Sequence, residues 1–440
     1  MRKPMIDPKV FAERRARLAQ QVSDAAVILT SHPEYIRNND VSHAYRQDSN
    51  FYYLTGYEEP ESILVFRPGK TPETVMFVRD KDLERETWDG FRYGPEGAKA
   101  EFGFDAVYSM SEFSEVVPKL LAEVSKLYYR FFYFEQYDKL IEQAMLDTKS
   151  LIRRSGKGNL PVEDAYQLIG EMRIVKSTFE LEQMKRSGVI SCEAHRKVMS
   201  ATRPGMNERA LHAVFLKSMM EQGCAREAYH GIFASGNSAT TLHYVFNDQD
   251  CQQGDLLLVD AGGELNFYAA DITRTYPVSG KFGDAQKRIY QKLLNLQKRL
   301  ITRVKPGESL YNLQREAVKS LTEIMIEERL LKGNVEANIK EQNFMRYYPH
   351  GVGHWLGMDV HDAGLSLLGG EPRQFVPGMV FTVEPGIYIP ASDKSAPAAL
   401  RGIGIRIEDN VIVTETGGEV ISANAPKDIE ELEELIGKDY

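Results

Sequence analysis

The chain has 440 residues, with 54 lysines and arginines against 63 aspartates and glutamates, a formal charge of −9, and 42% hydrophobic residues. That apolar fraction supports large buried cores and the length suggests two or three domains, while the acidic balance argues against nonspecific nucleic-acid binding, which needs clustered basic residues on phosphates. The longest apolar runs, such as Ala25 to Leu29 and Leu256 to Val259, fall far short of the ~20 residues of a membrane span. The basic N-terminus has no apolar core behind it and does not read as a signal peptide. Three cysteines (Cys192, Cys224, Cys251) without CxxC spacing fit a reduced, cytoplasmic protein in which they are buried structural residues.

Along the first third, AAVILT (25–30), SILVFRP (62–68) and TVMFVRD (74–80) read as strands, and Lys3 to Gln21 and Ser111 to Val124 as helices. This α/β pattern closes in a polar stretch, RRSGKGN (153–159), with a helix expected from Pro161. Ser177 followed by Glu180 predicts a capping box opening a long helix, and a second helix follows Pro204–Gly205 with Leu211, Val214, Phe215 and Met219 on one face. Two amphipathic helices are expected at about 283–303 and 309–331, then a strand-rich end from 376 to 422. The change of pattern places a domain boundary near residue 173, giving domains 1–173 and 174–440.

The chemistry concentrates in the second part. In DLLLVDAGGELNFYAADITRTYPVSG (255–280), Asp260 ends an apolar strand and Asp271 interrupts an apolar stretch; either alone reads as a turn cap, but a buried carboxylate is costly unless paired or metal-bound. In YPHGVGHWLGMDVHDAG (348–364), His350, His354 and His361 fall in a segment whose glycines argue against a helix and for backbone pressed against something. Glu384 ends a strand just before Pro385, sharing a face with Val380 and Thr382. In GIGIRIEDNVIVT (402–414), Gly404, Arg406 and Glu408 share the face opposite Ile403, Ile405 and Ile407; taken alone, that face could simply be exposed. Four carboxylates brought together repel one another unless divalent cations bind, and with one imidazole they can bridge two. Such a pair of metals can hold a nucleophilic hydroxide, which implies amide hydrolysis.

The order Asp260, Asp271, His354, Glu384, Glu408, in DAG…DITRT, HGVGHWLG, VEPGIY and GIRIED, is similar to the metal-binding set of the pita-bread metallopeptidases, the family of methionine aminopeptidase, prolidase and aminopeptidase P. The stretch YRQDSNFYYLTGYEEPESILVF (45–66) is similar to the N-terminal domain of aminopeptidase P and prolidase, which methionine aminopeptidase lacks. The two-domain length, the Trp of HGVGHWLGMDVHD and the compact C-terminus resemble the bacterial aminopeptidase P branch more than prolidase. The resemblance implies an α+β architecture: a smaller N-terminal α/β domain followed by a C-terminal pita-bread domain. It implies a metal-dependent exopeptidase releasing the N-terminal residue from peptides with proline second, by attack of a metal-bridging hydroxide. Two divalent ions are implied, Mn²⁺ foremost, with Co²⁺ or Zn²⁺ as alternatives.

Carried over residue by residue, Asp260 would chelate one ion, Asp271 and Glu408 would bridge both, and His354 and Glu384 would complete the second site. Glu384 would also take the proton of the attacking water. His243 and His361 would bind substrate and stabilise the gem-diolate, His350 would lie near the proline subsite, and Arg406 would orient a carboxylate ligand or the substrate. The resemblance also implies a homo-oligomer, dimer or tetramer, in which Trp88 and Asp40 edge the active site of a neighbouring subunit; from the sequence alone Trp88 reads as loop packing. Three alternatives stand beside this reading: prolidase, which cleaves only Xaa-Pro dipeptides; creatinase, which shares the fold without metals; and non-catalytic histone- or RNA-binding relatives that have lost ligands. All five ligand positions are filled here, which disfavours the last two.

Overall fold

In the computed structural model, which describes residues 4–156 and 158–438, the chain divides into two units, Met1–Met172 and Arg173–Tyr440. The first helix, α1 (Pro8–Ala19), starts later than its pattern suggests, because Pro8 sits in its first turn behind the Asp7 cap, whose side chain accepts the Lys9 N–H; Lys3 lies outside the described residues. The strands β1 (Ala25–Thr30), β2 (Ile63–Phe66), β3 (Thr74–Val78), β4 (Ala106–Ser109), β5 (Lys126–Tyr128) and β6 (Val162–Glu163) form one mixed sheet in the order β4-β3-β2-β1-β5-β6. Helices α2 (Phe113–Leu121) and α3 (Glu135–Leu151) supply Phe113, Val117, Tyr137 and Ile141 to a core with Ala26, Ile28, Ile63 and Val65.

Two helix expectations in this unit need correction. The segment expected as a helix from Ser111 opens as a 3-10 turn, Met110–Glu112, with its own Ser109–Glu112 capping box, and the α-helix ends at Leu121. The segment from Pro161 first adds strand β6 beside β5, where Leu127 N–H donates to Pro161 O and Tyr129 N–H to Glu163 O; helix α4 (Ala165–Ile174) begins only after that ladder ends.

In the second unit, the Ser177–Glu180 capping box opens α5 (Thr178–Ala201) as expected. Helix α6 (Glu208–Glu221) buries Leu211, Phe215 and Met219, with Val214 only partly covered. Strands β7 (Ile232–Ser235), β8 (Leu256–Asp260) and β9 (Thr273–Pro277) form an antiparallel sheet with β8 central. Helices α7 (Asp284–Thr302) and α8 (Leu310–Glu327) pack Leu293, Leu300, Leu313 and Leu321 into the same large core. The strand-rich end contains β10 (Val380–Val383), β11 (Gly386–Ile389), β12 (Ile403–Arg406), β13 (Asp409–Val413) and β14 (Gly418–Val420). Among the described residues no helix is long and apolar enough to cross a membrane.

The registers explain where the carboxylates go. β10 pairs antiparallel with β13, placing Val383 opposite Asp409, and β11 pairs with β12, placing Gly386 opposite Arg406. These are one register, interrupted where Glu384 and Pro385 face Ile407 and Glu408. Pro385 has no N–H to give to the ladder, although Ile407 N–H still reaches Pro385 O at 3.3 Å. In the other sheet Asp260 pairs with Thr273 at the end of the β8–β9 ladder, and Asp271 lies just beyond it. The two sheets join where Glu408 N–H donates to Thr273 O at 3.1 Å and the Thr275 hydroxyl to Arg406 O at 3.0 Å. Each sheet thus delivers two carboxylates, from ladder ends or breaks, to one place.

Candidate metal centre

The glycine-rich segment carrying three of the histidines forms no helix and lies along the open edge of β10. Glu384 N–H donates to Val352 O at 2.8 Å, Thr382 N–H to His354 O at 3.0 Å, and Leu356 N–H to Val380 O at 3.0 Å. Glycine at 353 is a space requirement: a Cβ there would sit 1.9 Å from Thr382 O. This is the close backbone approach that the glycine density predicts.

Asp271, His354 and Glu408 each offer a ligand atom within 4.8 Å of the others. His354 donates its Nδ1–H to Trp355 O at 3.0 Å, which leaves Nε2 as the inward atom, 3.4 Å from Asp271 Oδ2 and 3.5 Å from Glu384 Oε1. Glu384 accepts from the Thr382 hydroxyl at 3.1 Å, and Glu408 from the Thr273 hydroxyl at 2.6 Å. Both oxygens of Asp260 are held: Tyr229 OH donates to Oδ1 and Arg406 Nη2 to Oδ2 at 2.5 Å. Arg406 also donates to the Thr273 hydroxyl at 3.0 Å and to Tyr388 OH at 2.9 Å. The face shared by Arg406 and Glu408 is therefore buried, not the exposed face that strand taken alone allows.

The electrostatics test whether these residues suit divalent cations. Burial pushes Asp260 and Glu408 above their ordinary values and Glu384 up to about 7; the neighbouring carboxylates add to the rise, while Arg406 works against it in all three and His354 against it in Glu384. Burial also opposes the charge on His354, but its bond to Asp271 and the carboxylates around it raise it to about 9. Burial likewise works against Asp271, yet His354 holds that carboxyl below its ordinary value. Without a cation the cluster must retain protons near neutral pH, and a divalent ion removes that need. Oxygen donors with one imidazole and no thiolate suit Mn²⁺, Co²⁺ or Zn²⁺; the three cysteines are buried and free.

A cavity of about 530 Å³ opens over this cluster, bordered by His243, His350, His361 and Arg406 along with the four carboxylates and His354. The His361 ring lies 4.2 Å, centroid to centroid, from that of His354. His350 is fixed at both nitrogens: Nδ1–H donates to Gly351 O at 2.7 Å and Nε2 accepts from Tyr388 OH at 2.8 Å, while burial lowers its pKa to about 4 and keeps it neutral. The described residues lining the cavity all belong to the second unit, and Trp88 and Asp40 are not among them. Trp88 stands on a short helix, Leu83–Asp89, and is 80% exposed, so the loop-packing reading is wrong. Asp40 is exposed in the turn between strands Ile36–Asn38 and Val41–Ser42.

Sequence reasoning missed Tyr229, Thr273 and Thr382, which hold ligand side chains, and Tyr388, which holds His350 and Arg406. Thr382 and Thr273 were legible in principle, one sharing Glu384's strand face and the other standing two residues after Asp271. Nothing in its local sequence marks Tyr229.

The profile of Metallopeptidase family M24 matches residues 182–415, and that of the Aminopeptidase P, N-terminal domain matches residues 11–128. The chain is 38% identical over 431 residues to the Xaa-Pro aminopeptidase of Haemophilus influenzae, covering 97% of this chain and 96% of that protein. Among solved structures it is similar to Pseudomonas aeruginosa aminopeptidase PepP, with TM-score 0.94, 37% identity and 98% of each chain covered. It is also similar to zinc-substituted Escherichia coli aminopeptidase P in complex with product, with TM-score 0.93, 35% identity and 98% of each chain covered. The fold is that of a smaller N-terminal α/β domain followed by a pita-bread domain, and the chain belongs to metallopeptidase family M24.

Proposed function

We propose that this protein is an Xaa-Pro aminopeptidase, releasing the N-terminal residue of peptides whose second residue is proline. The observation that carries the reading is the convergence of Asp260, Asp271, His354, Glu384 and Glu408 on one cavity, in a chain matched end to end by an Xaa-Pro aminopeptidase. These five residues would hold two divalent ions, Mn²⁺ foremost, with Co²⁺ and Zn²⁺ suiting the same donors. When bound, such ions supply Lewis acidity and make a water acidic enough to ionise near neutral pH.

The remaining roles belong to the side chains. Glu384, bordering the cavity beside His354, takes the proton of the attacking water and passes it to the prolyl nitrogen as the bond breaks. An Xaa-Pro bond has no N–H, so the departing nitrogen must gain a proton and the site must recognise shape instead of a donor. His243 and His361 face the cavity and donate to the carbonyl oxygen as it gains charge. His350, neutral and with both nitrogens committed, offers the pyrrolidine ring a rigid wall. Arg406 keeps Asp260 oriented. The protein acts in the cytoplasm as a homo-oligomer, a dimer or tetramer, in which Trp88 and Asp40 edge the site of a neighbouring copy; the exposure of Trp88 supports that placement.

A paired assay tests the reading. Chelator-stripped protein is given Mn²⁺ and offered an Xaa-Pro-Xaa tripeptide and an Xaa-Pro dipeptide. Metal-restored cleavage of the tripeptide before proline is expected. Cleavage of the dipeptide alone would make it a prolidase, and no cleavage with Mn²⁺, Co²⁺ or Zn²⁺ would end the proposal.

A further inference from the structure

His361 stands in a short segment flanked by two aspartates, and that segment is clamped from beneath. Arg173, with a side chain 2% exposed, spans both: its Nη2 donates to Asp359 Oδ2 at 2.7 Å and to Asp362 Oδ1 at 2.5 Å. Lys176, equally buried, donates from Nζ to the other oxygen of Asp362 at 3.0 Å. The turn is closed by its own backbone, with Asp362 N–H on Trp355 O at 2.9 Å and Gly357 N–H on Asp359 O at 3.1 Å. Gly357 is required, since a Cβ there would lie 2.2 Å from Asp362 Oδ2. The cations are anchored in turn: Val175 bridges to Met379 and Lys176 N–H donates to Gly378 O at 2.9 Å, immediately before β10. Two positive and two negative charges are thus locked together between the strand that leads to Glu384 and the segment that carries His361.

We propose that Arg173 and Lys176 are positioning residues for His361, fixing its imidazole over the cavity through Asp359 and Asp362, although neither lines that cavity. The inference rests on the proposed role of His361 at the reacting carbonyl. A neutral structural clamp would need only matched charge. Here a single guanidinium nitrogen, Nη2, at the end of a side chain 2% exposed, reaches both carboxylates flanking one histidine, so the length of Arg173 sets where both aspartates stand.

The test uses Arg173→Lys, which keeps the charge and shortens the reach, and Asp359→Asn, a milder change at the one-third exposed end of the clamp. Each is made in the wild-type chain and together with His361→Ala. In the wild-type background Arg173→Lys should lower kcat on an Xaa-Pro-Xaa tripeptide by ~10–100-fold with KM and bound Mn²⁺ within about two-fold. Asp359→Asn should lose less in the same direction. With His361 already removed, either change should cost under about two-fold, because the group they position is gone. Equal losses in both backgrounds, or wild-type kcat in both variants, would overturn the proposal. Amide hydrogen exchange at Asp362 and Gly357 should speed up at least about ten-fold in Arg173→Lys. That reading does not depend on peptidase activity: unchanged exchange refutes the clamp, whereas a wild-type chain that cleaves no Xaa-Pro peptide refutes only the function on which it rests.

Discussion

Replacing Gly353 by alanine tests how the histidine segment is held against β10. The added methyl would lie 1.9 Å from Thr382 O and 2.8 Å from its carbonyl carbon, both backbone atoms of a buried strand that cannot swing aside. Reaching an ordinary contact means retreating by about 1.5 Å, which stretches Thr382 N–H to His354 O, Glu384 N–H to Val352 O and His354 N–H to the Thr382 hydroxyl beyond hydrogen-bond reach. At ~1 kcal/mol each, about 3 kcal/mol is lost, a fall in Tm on the order of 5–10 °C. The same retreat carries His354 away from Asp271 and should weaken Mn²⁺ binding by ~10–100-fold. Calorimetry on metal-free protein reads the first effect and Mn²⁺ titration the second. Gly351→Ala is the internal control, since its methyl would come no nearer than 3.7 Å to Gly353 O; its Tm should stay within about 2 °C of wild type. If Gly353→Ala matched wild type in both Tm and Mn²⁺ affinity, the account of this segment would be wrong.

Asp271→Asn or Glu408→Gln should abolish turnover while leaving most of the fold intact, checked by kinetics beside a thermal melt; near-normal turnover in either would remove the bridging assignment. His361→Ala should lower kcat far more than metal content, and loss of bound metal instead would make it a ligand. Removal of metal should also change how stability depends on pH. The folded-state pKa of Glu384 is raised to about 7 and that of His354 to about 9, so the stability each contributes is present below its unfolded value, ~4.3 and ~6.5, and is lost as pH rises through the folded value. The Tm difference between Mn²⁺-loaded and metal-free protein should therefore widen from pH 5.5 to 8.5. A constant or narrowing gap in paired melts would show that protons and cations do not compete at this site.

The sequence made the ligands legible because each stands where a local rule is broken. Asp260 and Glu384 follow apolar strands, Asp271 interrupts one, and His354 sits among glycines that no helix would keep. Helix α5 was equally readable, since its capping box is a local device with a fixed spacing. What escaped was whatever depends on a partner distant in sequence. The strand at Val162 exists because β5 lies beside it, and nothing between Pro161 and Asp164 announces that edge. Tyr229 reaches Asp260 across 31 positions and Arg173 reaches Asp362 across 189; both look like ordinary residues until the chain is folded.

Two neighbours, Glu408 at the break before β13 and Asp409 opening it, show why the centre calls for a cation instead of another side chain. Asp409 and Glu408 are adjacent, so the strand's alternation sends them to opposite faces. Behind the sheet, Asp409 meets Arg274 Nη2 at 2.7 Å, Lys427, Gln297 Nε2 at 2.6 Å and the Ser422 hydroxyl at 2.7 Å. Burial opposes its charge, but Arg274 and Lys427 outweigh burial and hold it well below the usual carboxylate range. In front, Glu408 is equally buried, and its neighbours Asp271, Glu384 and Asp260 add to the penalty, with Arg406 the countercharge. The fold therefore neutralises one carboxylate behind the strand with two cationic side chains, and faces four in front with Arg406 and a histidine. Had selection favoured stability alone, a lysine in front would have served as Lys427 does behind. The imbalance instead leaves oxygen donors whose protons a divalent ion can displace, which is the property a metallopeptidase needs at its reacting centre.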